Sequence, residues 1–155
     1  MRRRIWRRFA RPTDRVLAPR TRPPRASSSS TARPVGYIQF YRWLRWPQEA
    51  DALEIGADED TFGVDIFIGE PDQINRGVGT RAMSLICEHL ERDCGATAVA
   101  LTTESTNLRA QRAYEKAGFV KVREVLDTDT RDGQGIPSWL MVRSRTERDG
   151  VPASP

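Results

Sequence analysis

Between Thr61 and Leu101 the sequence admits very few folds. Thr61–Ile68 is rich in β-branched and aromatic residues and reads as a strand. Glu70-Pro71-Asp72 ends it, because proline removes a ladder donor. From Val78 to Asp93 the apolar residues Ala82, Met83, Ile86, Cys87 and Leu90 recur at steps of three and four, which predicts an amphipathic helix with Gly95 as its stop. Ala96–Leu101 is an uninterrupted apolar run, expected of a strand covered on both faces. A strand, a helix and a second strand in this order predict a right-handed crossover.

The flanking segments extend that unit. Val35-Gly36-Tyr37-Ile38-Gln39-Phe40-Tyr41 reads as a strand, followed by an acidic, turn-rich stretch from Trp46 to Asp60. Thr106-Asn107 opens a second helix with Ala110, Ala113, Tyr114 and Ala117 on one face and Gly118 at its end. Phe119–Val125 and Ser138–Val142 close the order as strands around a polar loop holding Asp132-Gly133. The fold class is α/β (α+β).

Charge divides the chain sharply. Met1–Pro34 holds eleven Arg, five Pro and one acid, Asp14, together with the run Ser27–Ser30; the remainder holds 14 Lys+Arg against 20 Asp+Glu. A segment so poor in apolar residues cannot offset its ordering entropy, so residues 1–34 are expected to be a disordered basic arm and 146–155 a disordered tail, flanking a domain over 35–145. The arm is compatible with sequence-blind nucleic-acid binding through phosphates, with an organellar transit peptide, or with a functionless extension; Arg7-Arg8-Phe9 lacks the apolar run of an export signal. No run of 18 apolar residues exists, and the expectation is a cytoplasmic protein that does not span a membrane. Cys87 and Cys94 have neither redox nor zinc spacing, and the single histidine, His89, excludes a multi-histidine metal site.

The strongest chemical signal is the turn Asn75-Arg76-Gly77-Val78-Gly79-Thr80, which sets two glycines where the chain enters a helix. There, unpaired N–H groups and the positive helix end suit a phosphate, and Arg76 can add charge-assisted contacts. No Lys-Ser/Thr pair follows, so this is not a P-loop, nor is it G-x-G-x-x-G; alone it fits an ordinary glycine turn equally well.

In context the turn becomes specific. Together with Asn107-Leu108-Arg109-Ala110-Gln111-Arg112-Ala113-Tyr114-Glu115-Lys116-Ala117-Gly118-Phe119 it resembles the Gcn5-related N-acetyltransferase (GNAT) superfamily. Val35–Gln39, Gly63-Val64-Asp65 and Tyr114–Phe119 resemble, within it, the bacterial aminoglycoside 6′-N-acetyltransferases, over about Val35–Arg145. The resemblance implies a mixed sheet with two main helices, and transfer of acetyl from acetyl-CoA to a primary amine of a cationic small molecule by direct attack. It implies Asp65 as the carboxylate at the acceptor amine, taking its proton or holding the cation. It implies that backbone amides of Ile66, Phe67 and Ile68 bind the pantetheine arm, and that Gln73, Ile74, Asn75, Arg76, Gly77, Val78, Gly79 and Thr80 take the pyrophosphate. Tyr114 would serve the departing thiolate, although a tyrosine on an apolar helix face also fits a core role. Asn107 would bond the pantetheine amides or simply cap its helix.

Nine acids and no Lys or Arg lie between Glu49 and Asp72. Beside an acceptor site, such charge, Glu54 included, would concentrate a polycation; a solvated loop is the plainer alternative. Two departures from the family pattern stand out. The family's Asp-Pro before the helix-opening Asn is Thr102-Thr103 here, with Glu104 as the shifted substitute carboxylate. The family's leading strand, two helices and strand are replaced by the basic arm, which predicts an N-terminally truncated domain, an unpaired edge at Val35–Tyr41 and exposed Trp43 and Trp46. A non-catalytic remnant that binds CoA at most, or a nucleic-acid-associated protein acting through its arm, therefore stand as alternatives. The oligomeric state is not encoded in any of these signals.

Overall fold

The computed structural model describes residues 34–56, 60–128 and 135–145. The expectations of a disordered arm and tail, and the polar loop at Asp132-Gly133, fall outside the described residues.

The chain runs β1 (Gly36–Arg42), a 3-10 turn (Trp43–Arg45), α1 (Pro47–Ala52), β2 (Thr61–Ile68), a 3-10 turn (Pro71–Gln73), α2 (Val78–Asp93), β3 (Ala98–Glu104), α3 (Leu108–Lys116), β4 (Val120–Asp127) and β5 (Ile136–Ser144). Five strands form one mixed sheet in the order β1-β2-β3-β5-β4. The β2–β3 pair is parallel, as a strand-helix-strand crossover requires, and the other three pairs are antiparallel. Among the described residues β1 lies at one margin of the sheet.

Two apolar clusters sandwich the sheet. On one side Met83, Cys87 and Leu90 of α2 pack with Phe62, Val64, Val99, Leu101, Phe119 and Met141, so the predicted amphipathic stripe is the one buried. Arg143 ties that layer together: its guanidinium meets Glu91 at 2.8 and 3.1 Å and donates to the Ala117 carbonyl at 2.8 Å. On the other side Trp43, Ala50, Leu53 and Ile55 pack on Ala100 and Leu140.

That second cluster overturns two expectations. The acidic stretch after Trp46 is not all turn, because Pro47 starts a helix whose Ala50 is buried, continued by Leu53 and Ile55. Trp43 is not exposed either. It is 2% accessible, folded under the sheet by its 3-10 turn, and its Nε1 donates to the Ala100 carbonyl at 3.2 Å. Trp46 is partly buried against the same cluster. Burial on this scale is worth about 2 kcal/mol for one large side chain, so the short helix protects the sheet face. No helix among the described residues is long and apolar enough to cross a membrane.

Candidate active site

The sheet is not closed throughout. β1 follows β2 along its length, from Gly36 opposite Ile68 to Arg42 opposite Phe62, and β5 follows β3 from Ala98 to Glu104. β2 and β3 pair only over Thr61–Gly63 against Ala98–Ala100. Beyond that point the two strands are no longer paired to each other.

Strand alternation places Asp65 at this opening. Val64 packs in the α2 cluster, so Gly63 and Asp65 face the opposite side. There the Tyr41 ring lies so close over Gly63 that a Cβ would collide with it. Gln39, the register partner of Asp65, donates from Nε2 to Asp65 Oδ2 at 2.9 Å and fixes the carboxylate. Tyr114 comes from the helix side, where it packs against the main cluster with Phe119 at 6.0 Å between ring centroids. Burial, and then the charge of Asp65, push the Tyr114 hydroxyl up to about 12. The two groups come from opposite faces, and Tyr114 feels the charge of Asp65. At neutral pH Tyr114 carries its proton.

The glycine turn leads from the end of β2 into α2. Gln73 Nε2 donates to Asp72 Oδ2 at 3.1 Å, and the Ile74 carbonyl side runs extended towards the turn. Asn75 and Gly77 both adopt left-handed backbone, with φ of 66° and 77°. Gly77 is the N-cap of α2 and no side chain caps that helix, so the leading N–H groups of Val78, Gly79 and Thr80 point outwards. Arg76 is exposed beside them. A Cβ at Gly79 would meet only Ile68 Cγ1, at 3.9 Å. Nothing within the chain demands a glycine there, which fits a backbone kept bare for a close-lying anion. The uncapped helix start, the bare backbone at Gly79 and the exposed Arg76 are of a kind a pyrophosphate fits.

Asn107 caps α3: its Oδ1 accepts from Ala110 N at 3.2 Å, and its Nδ2 takes no part in the cap. Glu104 is exposed at the end of β3. Glu54 has a left-handed backbone (φ 46°) and pairs with Arg123, whose other nitrogen meets the Leu53 carbonyl. Its charge is therefore partly answered from β4 rather than directed at Asp65. Asp58 and Glu59 fall outside the described residues. Among the described residues no three His, Cys, Asp or Glu gather where they could hold a metal ion.

Three contributors carried no obvious sequence signal. Gln39 matters only through its cross-strand register. Gln111, 2% accessible, donates to the Glu104 and Ser105 carbonyls at 3.0 Å each and locks the β3–α3 turn; a polar residue on an otherwise apolar helix face was its only mark. Thr102 Oγ1 donates to Asp127 Oδ2 at 3.0 Å, joining residues 25 apart.

Comparison with known proteins gives consistent findings. A family model described as an acetyltransferase (GNAT) domain matches residues 29–126. An aminoglycoside N(6′)-acetyltransferase type 1 of Klebsiella pneumoniae is 32% identical over 117 residues, covering 72% of this chain and 52% of that protein. A kanamycin resistance protein of Rhizobium radiobacter is 33% identical over 104 residues, covering 67% of this chain and 82% of the relative. The crystal structure of aminoglycoside acetyltransferase AAC(6')-Ib in complex with coenzyme A and kanamycin superposes with a TM-score of 0.56 at 30% identity, covering 74% of this chain and 62% of that one. The chain thus spans about half the length of the Klebsiella relative.

Proposed function

This chain belongs to the acetyltransferase (GNAT) domain family, and on that premise we propose that it transfers acetyl from acetyl-CoA to a primary amine of a polycationic small molecule, the 6′-amine of an aminoglycoside. The observation that carries the reading is the parting of β2 and β3 with Asp65 on one face and a protonated Tyr114 on the other. One relative at about this similarity is named for this activity and another for kanamycin resistance.

The residues divide the work by position. The uncapped first turn of α2 and Arg76 hold the pyrophosphate, with Gln73, Ile74 and Asn75 shaping the approach. Backbone amides of Ile66, Phe67 and Ile68, beyond the last β2–β3 pair, bond the pantetheine arm as an added strand would. Asn107 contributes its spare Nδ2 to the same arm. Acetyl-CoA supplies an activated thioester. A backbone N–H at the opening polarises its carbonyl, which strengthens as the oxygen gains charge. Asp65 receives the ammonium group on the opposite face, takes its proton and leaves a nucleophilic amine. Tyr114 gives a hydrogen bond or a proton to the departing sulfur, and its raised pKa keeps that proton available. Glu104 and the neighbouring acids draw the polycation in.

The test is a thermal-unfolding series with acetyl-CoA, followed by a thiol-release assay with kanamycin. At a hundredfold excess over the dissociation constant, acetyl-CoA adds about 2.7 kcal/mol of stability. Stabilisation together with amine-dependent CoA release is the expected result. Stabilisation without CoA release identifies a non-catalytic CoA-binding protein, and a transition indifferent to acetyl-CoA refutes the reading of the turn.

A further inference from the structure

We propose that Cys94 is a thiol–disulfide exchange site, with His89 as its base and Asp93 as the group that positions the base, and that its reaction partner is the disulfide of a small thiol. The three residues gather at the C-terminal end of α2, where Cys94 is the C-cap. The helix is 16 residues long, so at about 1.5 Å per residue the cluster lies roughly 24 Å from the glycine turn that opens it. His89 Nδ1 meets Asp93 Oδ2 at 2.7 Å, one helical turn on. A carboxylate only accepts, so the neutral ring keeps its proton on Nδ1 and turns the lone pair of Nε2 outwards. That nitrogen lies 3.9 Å from Cys94 Sγ, so nucleophile, base and orienting carboxylate stand in sequence.

The surroundings favour the charged form of the base. Arg92 donates to Asp93 at 2.9 and 3.1 Å, and Arg92 first, then His89, hold that carboxyl down at about 2. Glu88 precedes the ring in α2. From β1 the ring meets Phe40 edge-on at 6.2 Å, while Arg42, the charged residue of that strand, is stacked over Phe62 at 4.8 Å. A helix C-terminus stabilises a cation and opposes an anion, so the backbone helps the imidazolium and leaves the thiol dependent on it. Cys87 supplies the contrast within the same helix: it is fully buried, and burial pushes its thiol up to about 12. Cys94 is only partly buried, which admits a small disulfide. In the exchange, His89 Nε2 takes the Sγ proton and the thiolate attacks one sulfur of the disulfide. A new S–S bond to Cys94 forms as the old one breaks, and the departing sulfur leaves with the electron pair and receives the proton from Nε2. Cys94 is oxidised, the departing sulfur is reduced, and no other oxidant is consumed.

The experiment treats the full chain with bis(2-hydroxyethyl) disulfide, a small neutral probe, and follows adducts by intact mass and peptide mapping. One adduct forms, on Cys94, while Cys87 stays free. His89→Gln, at a side chain 41% exposed, slows that adduct about tenfold at pH 7, the loss of a positioned base. The difference closes at about pH 10, where hydroxide takes a thiol proton unaided. Asp93→Asn slows the reaction about threefold at pH 7 and not at the higher pH, as a positioning residue should. Parent and variants react alike in concentrated urea, because the arrangement belongs to the folded chain. If His89→Gln fails to fold, Asp93→Asn and the preference for Cys94 over Cys87 in the unmutated chain carry the test. An unchanged rate at pH 7, a slowing that persists at high pH or in urea, or an adduct on Cys87 as fast as on Cys94 overturns the inference.

Discussion

Gly79→Ala separates what the fold needs from what a ligand needs. The substitution adds one methyl in the first turn of α2, where it meets only Ile68 Cγ1 at ordinary contact distance, 3.9 Å. The backbone there is helical, so alanine fits and removes entropy from the unfolded chain, a gain of about 0.4–1 kcal/mol. For a domain of this size that raises the melting temperature by roughly 2–8 °C. The same methyl stands over the N–H groups that the uncapped helix start directs outwards. Pushing a phosphate oxygen off one such donor removes a charge-assisted bond of about 1.5–3 kcal/mol, or roughly ten- to a hundredfold in acetyl-CoA affinity. Calorimetry with acetyl-CoA and a melting scan of the ligand-free variant give the two numbers independently. A more stable protein that binds more weakly is expected. Higher stability with unaltered affinity refutes the assignment of this turn to the pyrophosphate. Lower stability refutes the claim that the glycine is kept for something outside the chain. Gly77→Ala supplies the contrast, since a φ of 77° strains any alanine and lowers stability by about 1 kcal/mol.

Asp65→Asn keeps an oxygen for the Gln39 amide and so preserves the strand pair, but lowers turnover with kanamycin about a hundredfold; acetyl-CoA affinity, read by calorimetry, stays within about twofold. A parallel loss of both would make Asp65 structural. Tyr114→Phe retains the packing with Phe119 and lowers kcat about tenfold or more at constant acetyl-CoA affinity; an unchanged rate would assign the ring to the core alone. Removing the guanidinium in Arg143→Met strands the Glu91 carboxylate and the Ala117 carbonyl, costing about 2–3 kcal/mol in urea unfolding. Burial raises the Cys87 thiol from 9.0 to about 12, and Tyr114 rises from 10.0 to about 12. Both folded values are raised, so their stability is complete below about pH 9 and is lost as pH climbs towards 12. The urea midpoint should fall over that range, and Cys87→Ala should flatten the fall.

The parts legible in the sequence are those written in local periodicity. Thr61–Ile68 and Val78–Asp93 were readable to their end residues because a strand repeats every two residues and a helix every three or four. The glycine turn was readable because its backbone demands are local. The burial of Trp43 was not, since it depends on a short helix folding back over Ala100, 57 residues further on. The parting of β2 and β3 was equally hidden, because the composition of a strand does not distinguish a paired edge from an unpaired one. Glu54 looked like a ligand for a cation, yet meets Arg123, 69 residues away. Thr102 looked like a lost charge, and the carboxylate beside it comes from β4. Cross-strand register, which decides all three, leaves no trace in neighbouring residues.

Among the described residues, β1–β2 and β3–β5–β4 share only three parallel residue pairs, with α2 packed over the seam. The sheet is therefore two plates sharing a short weld, with room beyond the weld for another chain-like molecule. A pantetheine arm lying in that seam would act as a guest strand. Its binding energy and the cohesion of the sheet are then one quantity: whatever loosens β1–β2 weakens the grip on the ligand, and a saturating ligand protects β1–β2 from opening.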